Sequence, residues 1–266
     1  MTEFTAYGSG DQPELIDPEA FPSWIVEEDE GVLAINKPGL IVCHPSKQGP
    51  WSSLVGASRE YLQQDLVHLV HRLDRETSGI CLLAKDKWHA RRSQMAFQNM
   101  QVSKEYVALL EGEMNEPTEV SNHLAKDLES EVYIKQAVRK SRTSKRAETV
   151  FEPLLVRNGN SLVRVIPKTG RKHQIRIHAQ YLGFPMVGDK IYGPDDRLYL
   201  EFIEKGYTTA MHEILGFHRQ ALHAHRVHFS APEFQRSFTA PLVKDLEGLI
   251  LERLNCSMRD LEALIG

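Results

Sequence analysis

His71-Arg72-Leu73-Asp74-Arg75-Glu76-Thr77-Ser78-Gly79 lies between two apolar, strand-like runs, Leu66–Val70 and Ile80–Ala84. A polar loop carried between strands is where a rigid scaffold commonly presents catalytic groups. Asp74 has Arg72 and Arg75 close by in sequence. Such positive charge favours the ionised carboxylate, which can act as nucleophile or base at neutral pH. Thr77, Ser78 and Gly79 bring short side chains and a permissive backbone, suited to a tight turn beside a ligand. An ordinary charged turn would explain the same residues, so the decision falls to the rest of the chain.

Before this loop, Trp24–Glu27 and Val32–Asn36 read as strands around the acidic turn Glu28–Gly31, and residues 50–64 have helical spacing. After it, Lys87–Met100 reads as a helix and Lys104–Leu110 as a strand. Residues 133–165 hold several β-rich runs broken by basic turns and by Asn158-Gly159-Asn160. Arg171–Tyr181, Arg197–Leu215 and Leu242–Leu264 read as helices, and Gln220–Phe229 as a strand. Strands and helices interspersed without regular alternation predict an α+β fold with a mixed, largely antiparallel sheet flanked by helices. Residues 1–22, interrupted by Gly8, Gly10, Pro13, Pro18 and Pro22, read as a flexible arm, which leaves 23–266 as one catalytic domain.

The 266 residues are 41% apolar, ordinary for a globular chain of this size. Cys43, Cys81 and Cys256 are odd in number and far apart, which argues against a disulfide framework and for a reducing, cytoplasmic setting. The start of the chain is too polar for a signal peptide, and no apolar run reaches the roughly 18 residues a membrane span needs. Net charge is −4, but Lys135–Gln180 carries twelve Lys and Arg against Glu148 and Glu152 alone, a local charge of +10. A basic block on an acidic body suits a local polyanion site, although a solvated basic hairpin would look the same.

The string His71–Gly79 resembles the active-site signature of the RluA-type RNA pseudouridine synthases. Further motifs follow in that family's order. They are Asn36-Lys37-Pro38 with His44-Pro45, then Lys104-Glu105-Tyr106, then Thr169 to Arg176, then Gly188-Asp189 with Tyr192-Gly193, and finally Leu222-His223-Ala224. The likeness covers roughly residues 24–240. It implies a pseudouridine synthase fold with a central active-site cleft, and conversion of uridine within ribosomal or transfer RNA to pseudouridine. The bond from the sugar to nitrogen breaks, the uracil turns in place, and carbon 5 rejoins the sugar. No redox change is involved, so no cofactor and no metal is expected.

The resemblance assigns the catalytic roles to Asp74, Tyr106 and Arg176. Asp74 is the catalytic carboxylate, with attack on the sugar, removal of a sugar proton and addition to the base all open to it. Tyr106 stacks on the base and assists proton loss from carbon 5. Arg176 pairs with Asp74. Arg72 fills the gap left by the flipped base, Leu222 lines the uracil pocket, and His71, Thr77, Lys172 and Gln174 are expected to bind substrate. The arm is too short for the small RNA-binding domain of many relatives, so target recognition is expected to rest on the catalytic domain. The protein is expected to be a monomer, since no apolar seam stands out.

Three rival readings are weaker. His223-x-His225-x-x-His228 suggests metal ligands, but on a strand His228 points away from the other two and no carboxylate or cysteine completes the set. A glycosidase generally needs a second carboxylate in a comparable setting. An RNA-binding protein without activity would explain the basic block but not the set Asp74, Tyr106 and Arg176.

Overall fold

The computed structural model describes residues 14–44 and 48–266. In chain order the strands are β1 (Ile25–Glu28), β2 (Val32–Lys37), β3 (His68–Leu69), β4 (Ser78–Ala84), β5 (Val102–Glu111), β6 (Thr118–Lys126), β7 (Gln136–Val138), β8 (Lys145–Arg157), β9 (Asn160–Pro167), β10 (Leu222–Ala231) and β11 (Phe234–Thr239). The helices are α1 (Leu54–Leu62), α2 (Lys87–Gln98), α3 (Gln174–Tyr181), α4 (Arg197–Lys205), α5 (Thr209–Leu215), α6 (Lys244–Leu254) and α7 (Met258–Ile265). The fold is α+β with a mixed, mostly antiparallel sheet, as the interspersed pattern predicts.

The chain forms two compact units, one of Tyr106–Leu222 with Lys244–Gly266, the other reaching Glu105 and resuming at His223–Val243. In the second unit β1, β2, β4 and β10 lie side by side, with β3 on β4 and β11 on β10. β4 is buried along its whole length, which is why Ile80–Ala84 reads as an unbroken apolar run rather than an alternation. β4 and β10 run parallel at His223↔Ser78 and Ala224↔Gly79. Gly79 sits at φ +108°, and a Cβ there would fall 2.2 Å from the Ala224 carbonyl oxygen, so no other residue fits. α1 and α2 start where Ser53 and Asp86 accept backbone N–H bonds from Gly56 and His89.

In the first unit the order is β5-β9-β8-β6-β7, all antiparallel. β8 and β9 turn at Asn158 and Gly159, both at positive φ, as the Asn-Gly signal requires. Ala108, Leu110, Phe151, Val163, Val165 and Ile175 build one core against α3.

Several sequence expectations change. Most of the expected arm lies outside the described residues, but residues 14–22 are docked rather than loose. Ile16 and Phe21 are buried, and Phe21 meets Trp24, Trp51 and Tyr61 at 5.6–6.2 Å, so three aromatic rings hold it. The single helix expected over 197–215 is two, because Gly206 takes φ +75°. The closing helix likewise breaks at Asn255, after which Ser257 and Asp260 form a capping box. β6 and β11 were not expected from the sequence, and the strand expected over Leu66–Val70 shrinks to β3.

Candidate active site

The loop 71–77 is fixed by its carbonyl groups. The Lys37 ammonium, fully buried, donates to the carbonyls of Pro38 (2.9 Å), Ile41 (3.0 Å) and Arg75 (3.1 Å). The Cys43 thiol donates to the Leu73 carbonyl and the Cys81 thiol to that of His71, each at 3.5 Å, as weak sulfur bonds. Carbonyls 71, 73 and 75 are therefore held by three donors from β2, β4 and the segment after β2. Thr77 N–H closes a turn onto the Asp74 carbonyl (3.1 Å), and Arg75 Nε donates to the Leu40 carbonyl (3.2 Å). Leu73 and Thr77 are buried and Arg72 is exposed, while Asp74 lies partly exposed between them. Pro45 of the expected His44-Pro45 motif lies outside the described residues.

His71, expected to bind substrate, is partly exposed. Its Nε2 is enclosed without a hydrogen-bond partner, and its ring packs 5.8 Å from that of Phe97. Burial, aided by the charge of Lys104, lowers its pKa to about 3, so the ring is neutral. His223 and His225 anchor a strand end. Both lie within hydrogen-bond reach of the Ala240 carbonyl, at 3.2 and 3.0 Å, and His223 Nδ1 lies 3.0 Å from Ser78 Oγ.

In the other unit, Tyr106 and Leu222 meet the same core as Ile175, so the structure brings the expected base-stacking ring and pocket-lining side chain to one cluster. Arg176, on α3, is 5% exposed and donates through Nε and Nη2 to the two oxygens of Asp189, at 2.6 and 2.7 Å. Asp189 also accepts from the backbone N–H groups of Ile191 and Tyr192, both at 3.0 Å. Burial alone would raise the Asp189 pKa, but the Arg176 charge and these hydrogen bonds prevail and hold it below its ordinary value. The Tyr192 ring lies 4.9 Å under the guanidinium, and its hydroxyl accepts from Gln136 N–H and reaches His173 Nδ1, both at 2.9 Å. The motif Gly188-Asp189…Tyr192 is thus the seat of Arg176, a partnership that no spacing in the sequence announces.

Gln174, expected at the substrate, is instead saturated inside the protein. Its amide nitrogen donates to the Glu148 carbonyl and Thr149 Oγ1, and its oxygen accepts from Thr169 Oγ1 and Arg171 N–H. Both donors and both lone pairs are used, which makes it the pin of the turn before α3. Lys172 is exposed and lines a pocket of about 370 Å³ with Lys126, Lys145 and Arg171. Arg139, Lys140, Arg142 and Lys145 are exposed, and no acid lies in ion-pair range of them among the described residues, whereas Arg146 pairs with Glu148 at 2.6 Å. No group of three or more His, Cys, Asp or Glu that could hold a metal occurs among the described residues. No helix among them is long and apolar enough to cross a membrane.

The exposed cations Arg139, Lys140, Arg142 and Lys145 suit a polyanionic partner such as RNA. Residues 31–181 match the family described as RNA pseudouridylate synthase. The ribosomal large subunit pseudouridine synthase C of Vibrio vulnificus is 33% identical over 247 residues, covering 88% of this chain and 74% of that protein. The ribosomal large subunit pseudouridine synthase D of Yersinia pestis is 32% identical over 246 residues, covering 88% and 71%. Among solved structures, human RNA Pseudouridylate Synthase Domain Containing 4 superposes with a TM-score of 0.70 at 26% identity, over 91% of this chain and 96% of that one. The chain belongs to the RluA-type RNA pseudouridine synthase family and is an isomerase.

Proposed function

We propose that this enzyme isomerises particular uridines in structured RNA, ribosomal RNA foremost, with Asp74 as the catalytic carboxylate and Tyr106 and Arg176 completing the catalytic set. Two relatives named for the large ribosomal subunit favour ribosomal over transfer RNA. The observation that carries the assignment of Asp74 is the pinning of carbonyls 71, 73 and 75 by Cys81, Cys43 and Lys37. A charged turn with no task needs no buried ammonium beneath it, and the holding of a carboxylate in one place is what bond cleavage at a sugar carbon demands.

In this reading Asp74 supplies negative charge beside the sugar as the bond to nitrogen 1 breaks. Tyr106 stacks on the uracil and assists removal of the carbon 5 proton once the new carbon–carbon bond has formed. Nitrogen 1 ends protonated, so atoms and charge balance without cofactor or metal. Arg72, exposed on the loop, replaces the flipped base in its stack, a role suited to a planar cation. Thr77 shapes the turn under Asp74, Leu222 borders the base and Lys172 takes a phosphate. Free Cys43, Cys81 and Cys256 fit a reducing cytoplasm, and the enzyme acts as a monomer.

Mapping pseudouridine in cellular ribosomal and transfer RNA, with and without the intact gene, identifies the target. Asp74→Asn should abolish the modification while leaving RNA affinity within a few fold. Retention of even a tenth of normal turnover would reject Asp74, and sites lost only from transfer RNA would reject the ribosomal preference.

A further inference from the structure

Tyr133 is the most exposed large apolar or aromatic side chain among the described residues, at 79%, yet its loop is firmly built. Val132 beside it is fully buried against Leu124, Ile177 and Tyr192, and Ile134 packs on the same cluster. Val132 N–H donates to Ser130 Oγ, Ser130 Oγ–H to Asp196, and Lys135 pairs with Asp196 at 2.9 Å. The loop thus holds Tyr133 outward between two inward neighbours. The Lys126 ammonium lies 3.6 Å from the ring centroid, on one face. The same lysine lines the pocket of about 370 Å³ shared with Lys145, Arg171 and Lys172, a volume within the range of small-ligand sites.

An outward aromatic ring next to a cluster of cations is the arrangement that takes single-stranded nucleic acid, with a base on the ring and the phosphate among the cations. We infer that Tyr133 and this pocket form a subsite for one unpaired nucleotide of the RNA substrate, apart from the uridine that reacts. The base stacks on the open face of Tyr133, and the phosphate is taken up by Lys126, Lys145 and Arg171. No acid is among the residues that line the pocket, so its cations Lys126, Lys145, Arg171 and Lys172 leave it positive. Stacking accepts any base, so the subsite reads the absence of a paired strand rather than sequence, and it directs the enzyme to targets beside loops and bulges.

The inference rests on RNA being the substrate, and binding measurements separate the two. Fluorescence anisotropy with a labelled single strand of about ten nucleotides and with a duplex of similar length covers the size of one such surface. Tyr133→Ala should weaken single-strand binding roughly five- to twenty-fold, the loss of one stacked base, with an unchanged salt slope. Duplex binding should hold within two-fold, and Tyr133→Phe should bind like wild type. Lys145→Ser with Arg171→Ser should instead flatten the salt slope on single strands by about 0.7 for each phosphate no longer neutralised. Single-strand binding by Tyr133→Ala equal to wild type, or an equal loss on duplex, overturns the subsite. Failure of wild type to bind either RNA overturns the RNA reading itself.

Discussion

Asp189 holds the guanidinium of Arg176 with both carboxylate oxygens, at 2.6 and 2.7 Å, and is itself fully buried. The bidentate grip occupies Nε and Nη2 and so sets the direction in which Nη1 points. With Arg176 in the catalytic set proposed above, Asp189 is a positioning residue whose effect on the reaction passes through Arg176. Breaking one side of a buried pair leaves an uncompensated charge and costs about 3–5 kcal/mol, so Asp189→Asn should lower the urea midpoint sharply. The double variant Arg176→Met with Asp189→Leu removes both charges and should regain most of that stability. It should still form no pseudouridine in a single turnover. Recovery of activity along with stability would show that the pair serves the fold alone.

Lys37 is a second such point. Lys37→Met keeps the aliphatic bulk but strands the carbonyls of Pro38, Ile41 and Arg75 in the interior. An unmet buried acceptor costs about 1–3 kcal/mol, so a loss of roughly 3 kcal/mol or more is expected in urea titration. Turnover should fall at temperatures where the variant remains folded, because the loop bearing Asp74 loses its support. Normal turnover in the folded variant would separate the loop's geometry from catalysis.

Tyr106→Phe keeps the ring against the core of Val163, Val165 and Leu222 and removes only the hydroxyl. Binding should stay near normal while product formation slows strongly. Quench-flow with uridine tritiated at carbon 5 reports the proton step directly. An unchanged release rate would make Tyr106 a packing residue.

Stability should fall in mild acid for a definable reason. Burial lowers the pKa of His178 from 6.5 to about 4, and that of His71 to about 3. Their folded forms stay neutral where the unfolded chain takes up protons. The contribution of each is complete above pH 6.5 and is lost as pH falls from there towards the folded value, by up to about 1.4 kcal/mol per pH unit. Nδ1 of His178 lies 2.8 Å from Thr149 Oγ1 and its Nε2 3.0 Å from Asn122 Oδ1, so Gln can replace it without taking up a proton. Urea midpoints at pH 7 and pH 5 should differ less in His178→Gln than in wild type. Equal differences would mean that His178 titrates alike in both states.

Replacing Arg139, Lys140, Arg142 and Lys145 with Ser should flatten the salt dependence of RNA binding by roughly 0.7 to 0.9 for each phosphate left without its cation. Arg146→Ser alone should change it less, since Glu148 already holds that guanidinium. A slope unaffected by the four changes would make this stretch a solvated hairpin.

The sequence by itself determined the family, the α+β class, the loop from His71 to Gly79 and the basic block of residues 135–180. Each of these is written in contiguous residues or local charge. The Asn158-Gly159 turn was legible for the same reason, because its positive φ values are a local demand that few residues meet. β6 was not legible, since Thr118–Lys126 is half exposed and buries only Val120, Leu124 and Ala125, too few for a clear period. Only the tertiary structure decided what the motifs do. Asp189 serves Arg176 across 13 residues, Lys37 holds a carbonyl 38 residues away, Gln174 is shared between its own turn and β8, and Nε2 of His71 is enclosed. A motif states which side chains are needed, but a buried charge or amide chooses its partner by proximity and desolvation, which exist only once the strands have packed.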